Sequence, residues 1–220
     1  MKHKEFVRTP SDGVTVRGFL HRPEKSASSA LVLTHGAGSN CNSPLLVALA
    51  GAFRNAGWMV LRCDLPFRQQ RPQGPPARAA AERDQAGLRG AIAAMRRETA
   101  GPVYLGGHSY GGRQASMLAA AEPGVAEGLL LLSYPLHPPE RPDVMRTAHL
   151  PQLRTPALFV HGTSDGFGSI AEIDEARRLV PARTELLAVA NAGHELLAGK
   201  NRAELAGQVA KAFLTFVGAW

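Results

Sequence analysis

Disulfide chemistry has little to work with in this chain, which carries only two cysteines, Cys41 and Cys63, in 220 residues. That excludes the cross-linked framework of small secreted domains and points to a reducing compartment. Long apolar runs are missing as well. The longest candidate, GLLLLSYP at 128–135, falls far short of the roughly 20 residues a membrane-spanning helix needs. The opening MKHKEFVRTPSDG is charged and lacks an apolar centre, so it does not read as a secretory signal. A cytoplasmic protein without membrane contact is the expectation. No grouping of His, Cys and Asp has the spacing of a metal site, and no cofactor is expected. Acidic residues are outnumbered, 18 against 25 basic ones, for a net charge of +7. The basic residues are mostly arginines, scattered from Arg8 to Arg202 with no tight run, no interleaved aromatics and no nucleic-acid-binding module. No nucleic-acid partner is expected.

What is present is an alternation. Short β-branched or leucine-rich runs at 30–36, 58–66, 102–108, 128–135, 157–162 and 184–191 read as strands. Between them lie helical stretches at 43–57, 77–99, 110–121 and 169–180, and a last one runs from 202 to 220. Ser43, Pro44 and Gly57 supply an N-cap, a first-turn proline and a C-terminal glycine for the first helix. Residues 66–76 hold four prolines and a glycine and read as a loop. EFVRT and VTVRGFLHR flank PSDG, a hairpin signal. The pattern predicts one α/β domain over 1–220, a doubly wound, mostly parallel sheet of about eight strands with an antiparallel hairpin at its edge. The connection at 136–156 is short and proline-rich, room for a small flap but not for a substantial cap domain.

Ligands of such a sheet bind beyond the carboxyl ends of its strands. The strand at 102–108 delivers Ser109 inside Gly107-His108-Ser109-Tyr110-Gly111, a G-x-S-x-G sequence between a predicted strand and a predicted helix. There a serine is forced into a sharp, strained turn, and the small residues around it make room for that turn. Read singly, Ser109 could merely cap the helix, Asp165 could serve an Asp-Gly turn, and His194 could be an ordinary loop histidine. Together they fall in the order nucleophile, acid, base, each just beyond its own strand.

On these residues the chain resembles the α/β-hydrolase superfamily, from ALVLTHGAG to NAGHEL, nearly end to end. Its size and lack of a cap are similar to the dienelactone-hydrolase-like members. SYPLHPP and GGHSYGGRQAS are also similar to the branch that contains the testis-expressed proteins and their bacterial relatives. Dienelactone hydrolases proper carry a cysteine nucleophile, and Ser109 stands there in this chain, so ester hydrolysis is the broader expectation. The resemblance implies that Ser109 attacks a carbonyl, His194 takes and returns the proton, and Asp165 holds the imidazole. The oxyanion hole would use the N–H of Tyr110 and one from HGAGSN, that of Ala37 ahead of Gly38. Small carboxylic esters are the expected substrates, with lactones and thioesters next because they share that chemistry. A non-catalytic binding or scaffold protein of the same fold is the competing reading.

Other residues near strand ends are expected in lesser roles. His35 would hold the oxyanion loop, while His108 and His161 would be packing or structural residues. Cys41 and Cys63 stand close enough to the site to interest a thiol reagent. Asp64 reads as a turn or ion-pair residue and Arg113 as a helix-surface or ion-pair arginine. Arg68 and Arg71 in the proline-rich loop could meet an anionic substrate, with a solvated loop as the default expectation.

Overall fold

Ala30–Thr34 and Leu129–Leu132 are buried at every residue. A strand can be so only when both faces of its sheet are covered. The computed structural model describes residues 3–10, 13–77, 79–197 and 202–218. In it the strands are β1 (His3–Arg8), β2 (Val16–His21), β3 (Ala30–Thr34), β4 (Met59–Asp64), β5 (Val103–His108), β6 (Leu129–Leu132), β7 (Ala157–Gly162) and β8 (Thr184–Val189). The helices are α1 (Pro44–Asn55), α2 (Pro66–Gln70), α3 (Ala80–Arg96), α4 (Tyr110–Ala121), α5 (Ile170–Arg177) and α6 (Arg202–Gly218).

These strands form one eight-stranded sheet in the order β1-β2-β4-β3-β5-β6-β7-β8. β1 and β2 pair antiparallel, as does β2 with β4, and every later pair is parallel. The expected edge hairpin is therefore present, although Ser11 and Asp12 of its turn lie outside the described residues. Successive residues of β3 serve opposite layers, because side chains alternate across a sheet. Ala30 and Val32 pack with Leu88, Ile92 and Leu118 of α3 and α4, whereas Leu31 and Leu33 pack with Phe53 of α1 and Phe213 of α6.

Local chemistry explains the boundaries. The Ser43 hydroxyl accepts from the Leu46 N–H at the head of α1, Pro44 opens the helix, and Gly57 leaves it at φ +90°. α5 begins with a capping box between Ser169 and Glu172. The stretch expected as loop at 66–76 departs from expectation at its start, where Pro66–Gln70 form α2. Pro66 occupies the first helical turn, where its missing N–H costs nothing, and the rest of the stretch stays irregular from Arg71 on. Between β6 and β7 the chain forms no cap domain, only turns and a 3-10 turn at Leu150–Gln152. Among the described residues no helix is long and apolar enough to cross a membrane.

Candidate active site

β5 ends at His108 and α4 starts at Tyr110, so Ser109 alone reverses the chain. It does so at φ 51° and ψ −117°, a conformation that costs a residue bearing a Cβ on the order of 1–3 kcal/mol. The neighbouring glycines are there because backbone passes through the space a side chain would fill. A Cβ at Gly107 would stand 2.5 Å from the Gly111 carbonyl carbon, and one at Gly111 would stand 2.5 Å from the His35 oxygen.

The Ser109 side chain makes no capping bond to α4. Its Oγ lies instead 2.7 Å from His194 Nε2. On the other side of that ring, Nδ1 lies 2.9 and 3.0 Å from the two carboxylate oxygens of Asp165. A carboxylate can only accept, so Nδ1 donates, and in the neutral ring Nε2 then presents a lone pair to the hydroxyl. Asp165 also accepts from the Phe167 N–H at 2.9 Å, so the Asp-Gly turn reading and the partnership with His194 both hold. Its side chain is fully buried. Burial alone would raise the carboxyl, but the bonds from His194 and Phe167, with the nearby histidine charges, hold it below the ordinary value. The Phe167 ring lies against the imidazole, centroids 4.1 Å apart.

Beyond β3 the backbone passes the elbow closely. A Cβ at Gly36 would lie 3.4 Å from Ser109 Cβ. The Gly36 carbonyl accepts from His35 Nδ1 at 2.8 Å and from the Ser39 N–H at 3.1 Å. A trans peptide is planar, so the Ala37 N–H points away from that carbonyl. Among the described residues it and the Tyr110 N–H find no protein acceptor. His35 does hold this loop as expected, and Nε2 of the same ring accepts from the Leu65 N–H at 3.1 Å. The ring is thus neutral, and Asp64, 3.5 Å from Nε2, is not its ion-pair partner. Asp64 instead accepts from the Cys41 N–H at 2.7 Å.

Arg68 departs most from expectation. Placed in a solvated loop by sequence, it is buried on α2, and its donors reach the carbonyls of Ala37 (2.6 Å), Ser39 (2.7 Å), Arg71 (3.0 Å) and Gly74 (3.0 Å). Arg71 takes part through its carbonyl. The Tyr110 hydroxyl donates to Asp84 Oδ2 at 2.8 Å, and the other oxygen of that buried carboxyl accepts from the Phe67 N–H at 3.0 Å. Asp84 stands alone in an alanine-rich helix, with no turn or glycine beside it to mark it in the sequence.

His108 does more than pack. Its Nε2 donates to the His194 carbonyl at 2.8 Å, which ties the backbone of the candidate base to β5. His161 is structural, donating to the Gly168 carbonyl at 2.8 Å. The cysteines are not open to reagents: Cys41 and Cys63 are both buried, and burial first of all pushes the Cys41 thiol up to about 12 and raises Cys63 further. Arg113, expected in an ion pair or on the surface, is half-buried and has no ion pair among the described residues. A groove of about 940 Å³ between α1 and α6 is lined by none of the candidate site residues.

Residues 27–218 match the family model described as an alpha/beta hydrolase domain. The chain belongs to that family. Solved α/β hydrolases share the whole architecture at low identity. A dienelactone hydrolase from Anabaena variabilis superposes with a TM-score of 0.78 at 22% identity, covering 98% of this chain and 99% of its own. The esterase domain of a Rhodothermus marinus protein gives a TM-score of 0.73 at 16% identity, over 99% and 100% of the two chains. An α/β serine hydrolase without lid from Xanthomonas campestris gives 0.76 at 16%, over 100% and 97%. At such identities the likeness is one of fold, and within this hydrolase's fold the chemistry has to be argued from its own residues.

Proposed function

We propose that this α/β hydrolase works as a single domain and cleaves small carboxylic esters through an acyl-enzyme on Ser109. The observation that carries the reading is the unbroken chain of contacts from the Ser109 hydroxyl to His194 Nε2, and from His194 Nδ1 to the buried Asp165. A serine hydroxyl is a weak nucleophile at neutral pH and needs a base in reach during attack. His194 takes the proton as the Ser109–carbonyl bond forms. It then returns that proton to the leaving alcohol, and water repeats the cycle on the acyl-enzyme. Asp165 fixes the tautomer and stabilises the imidazolium.

The negative charge that develops on the carbonyl oxygen needs donors already in place. The N–H groups of Ala37 and Tyr110, which have no other acceptor among the described residues, are the ones we assign. The absence of a cap domain between β6 and β7 favours small or easily reached acyl groups, and lactones and thioesters can use the same chemistry. The occurrence of the fold in a dienelactone hydrolase and an esterase domain agrees with this substrate range. A scaffold protein would have no use for a strained serine aimed at a histidine, which favours catalysis over the binding reading.

Turnover of p-nitrophenyl acetate by the wild type, lost in His194→Ala, is the expected result. Equal rates for the two proteins would refute the assignment.

A further inference from the structure

Among the described residues two acidic side chains are buried, Asp165 and Asp84. Asp165 faces His194, and its burial has a reason. Asp84 is withdrawn further, with 0% of its surface exposed, and none of the ion pairs among the described residues includes it. A carboxyl so placed is costly unless hydrogen bonds hold it. Burial raises its pKa above the ordinary carboxylate value, against the bonds from Phe67 and Tyr110. Those two partners lie on two different walls of the candidate site.

One oxygen of Asp84 accepts from the Tyr110 hydroxyl at 2.8 Å and the other from the Phe67 N–H at 3.0 Å. Tyr110 is the first residue of α4, and its own N–H is one of the two donors assigned to the oxyanion. Phe67 stands in the first turn of α2. The residue after it, Arg68, donates to the carbonyls of Ala37 at 2.6 Å and Ser39 at 2.7 Å. The Ala37 N–H is the second assigned donor. A single carboxylate on α3 thus ties together the two walls that carry the donors. Rings fill the space between them. The Phe67 ring stands edge-on to that of Tyr110 and tilted against His35, with centroids 5.7 Å apart in both pairs. His35 in turn holds the Gly36 carbonyl at 2.8 Å. α3 runs so close to α2 that a Cβ at Gly87 would stand 2.6 Å from Pro66 Cγ. Next to Asp84, Gln85 donates to Gln114 of α4 at 3.0 Å.

We propose that Asp84 is a positioning residue for the oxyanion hole, fixing the N–H groups of Tyr110 and Ala37 relative to each other. Fully buried, it touches no substrate and moves no proton. Donors for a developing charge act by being aimed in advance, and they keep that aim only when a supporting shell locks them. The proposal rests on Tyr110 and Ala37 being the oxyanion donors of a Ser109 hydrolase, and its test separates the two.

Turnover of p-nitrophenyl acetate and inhibition by trifluoroacetone are measured on the wild type, Asp84→Leu, Asp84→Asn and Tyr110→Phe. The Ser109 oxygen adds to the trifluoroacetone carbonyl carbon, His194 takes the proton, and the C=O π pair becomes an oxyanion placed like that of the ester. Asp84→Leu should lower kcat about 10- to 100-fold with KM within about twofold, and weaken trifluoroacetone by the factor lost in kcat/KM. Asp84→Asn should recover most of both, because its amide accepts from Phe67 and donates to the Tyr110 oxygen. A merely structural Asp84 would lower the Tm and leave these ratios alone. Wild-type kcat in folded Asp84→Leu, or a loss of kcat that trifluoroacetone does not follow, overturns the proposal. If Asp84→Leu does not fold, Tyr110→Phe decides by the same comparison, with an expected loss of about threefold or more. If the wild type turns over no ester, the reading of Ser109 fails by itself. The Ala37 amide signal in NMR spectra then decides for Asp84. Displaced in Tyr110→Phe and near its wild-type place in Asp84→Asn, it supports the link between the two walls; unmoved in Tyr110→Phe, it overturns it.

Discussion

Arg68 Nη2 donates to the carbonyl of Ala37 across 2.6 Å, joining α2 to the loop after β3 that passes beside the elbow. A second donor of the same guanidinium holds Ser39 at 2.7 Å. The loop after β3 is thereby fixed from below by a buried cation, and from within by His35 on the Gly36 carbonyl. Donors that stabilise a transition state act by being aimed in advance, and a displacement of about 1 Å can cost about 100-fold in rate.

Arg68→Met should therefore lower kcat for a small ester by about 10- to 100-fold while KM stays near its wild-type value. Arg68→Lys, with one cation and fewer directions, should fall between. Steady-state kinetics on both variants checks this. A change confined to KM would mean that Arg68 meets substrate rather than holding the loop.

The strained backbone at Ser109 gives a second expectation. Ser109→Ala should lose about 10³-fold or more of the ester turnover and leave stability nearly unchanged, because the Cβ and its strain remain. Ser109→Gly should be equally inactive yet more stable than the alanine variant by about 1 kcal/mol, a rise of about 2–4 °C in Tm for a chain of this size. Calorimetry on the pair decides it. A glycine variant no more stable than the alanine one would mean that the φ of 51° carries no cost.

The sequence made the sheet legible because its central strands are continuous apolar runs bounded by glycine and proline, and because Ser109, Asp165 and His194 each follow a strand, the last of them the edge strand β8. The support of the site was not legible. Arg68 looked like a loop residue because three of the four prolines around it do break structure, while Pro66 opens a helix. His108 and Asp84 act through contacts with residues 86 and 26 positions away, which no local pattern reports. Cys41 and Cys63 stand near strand ends as expected, but their burial depends on distant partners: Cys63 packs beneath α3 and α4, and the backbone of Cys41 is held by Asp64 and Arg62.

That burial is itself testable. Native protein should give no reaction with a chromogenic disulfide over minutes, whereas denatured protein should release two thiols' worth of signal. Fast labelling of the native protein would contradict the packing around Cys41.

Acid should weaken the fold through His21 and His149. His21 accepts from Arg62 Nε at 2.9 Å and is buried, and burial followed by the Arg62 charge pushes it down to about 4. His149 is lowered to about 4 by burial and by Arg113. The unfolded chain binds a proton at each site near pH 6.5, and the folded chain does so only near 4. Between those values the unfolded state therefore holds more protons, and stability rises with pH until about 6.5. At pH 5 each site accounts for a loss of at most about 2 kcal/mol. His21→Gln keeps an acceptor for Arg62 and does not titrate, so its Tm should fall less steeply between pH 6.5 and 5. Parallel Tm profiles for the variant and the wild type would contradict this.

The central claim is that Ser109 is an activated nucleophile, and intact-protein mass after exposure to a fluorophosphonate tests it most directly. The account predicts one adduct on the wild type and none on Ser109→Ala. No adduct on the wild type, or an adduct that persists on the Ser109→Ala variant, would contradict it.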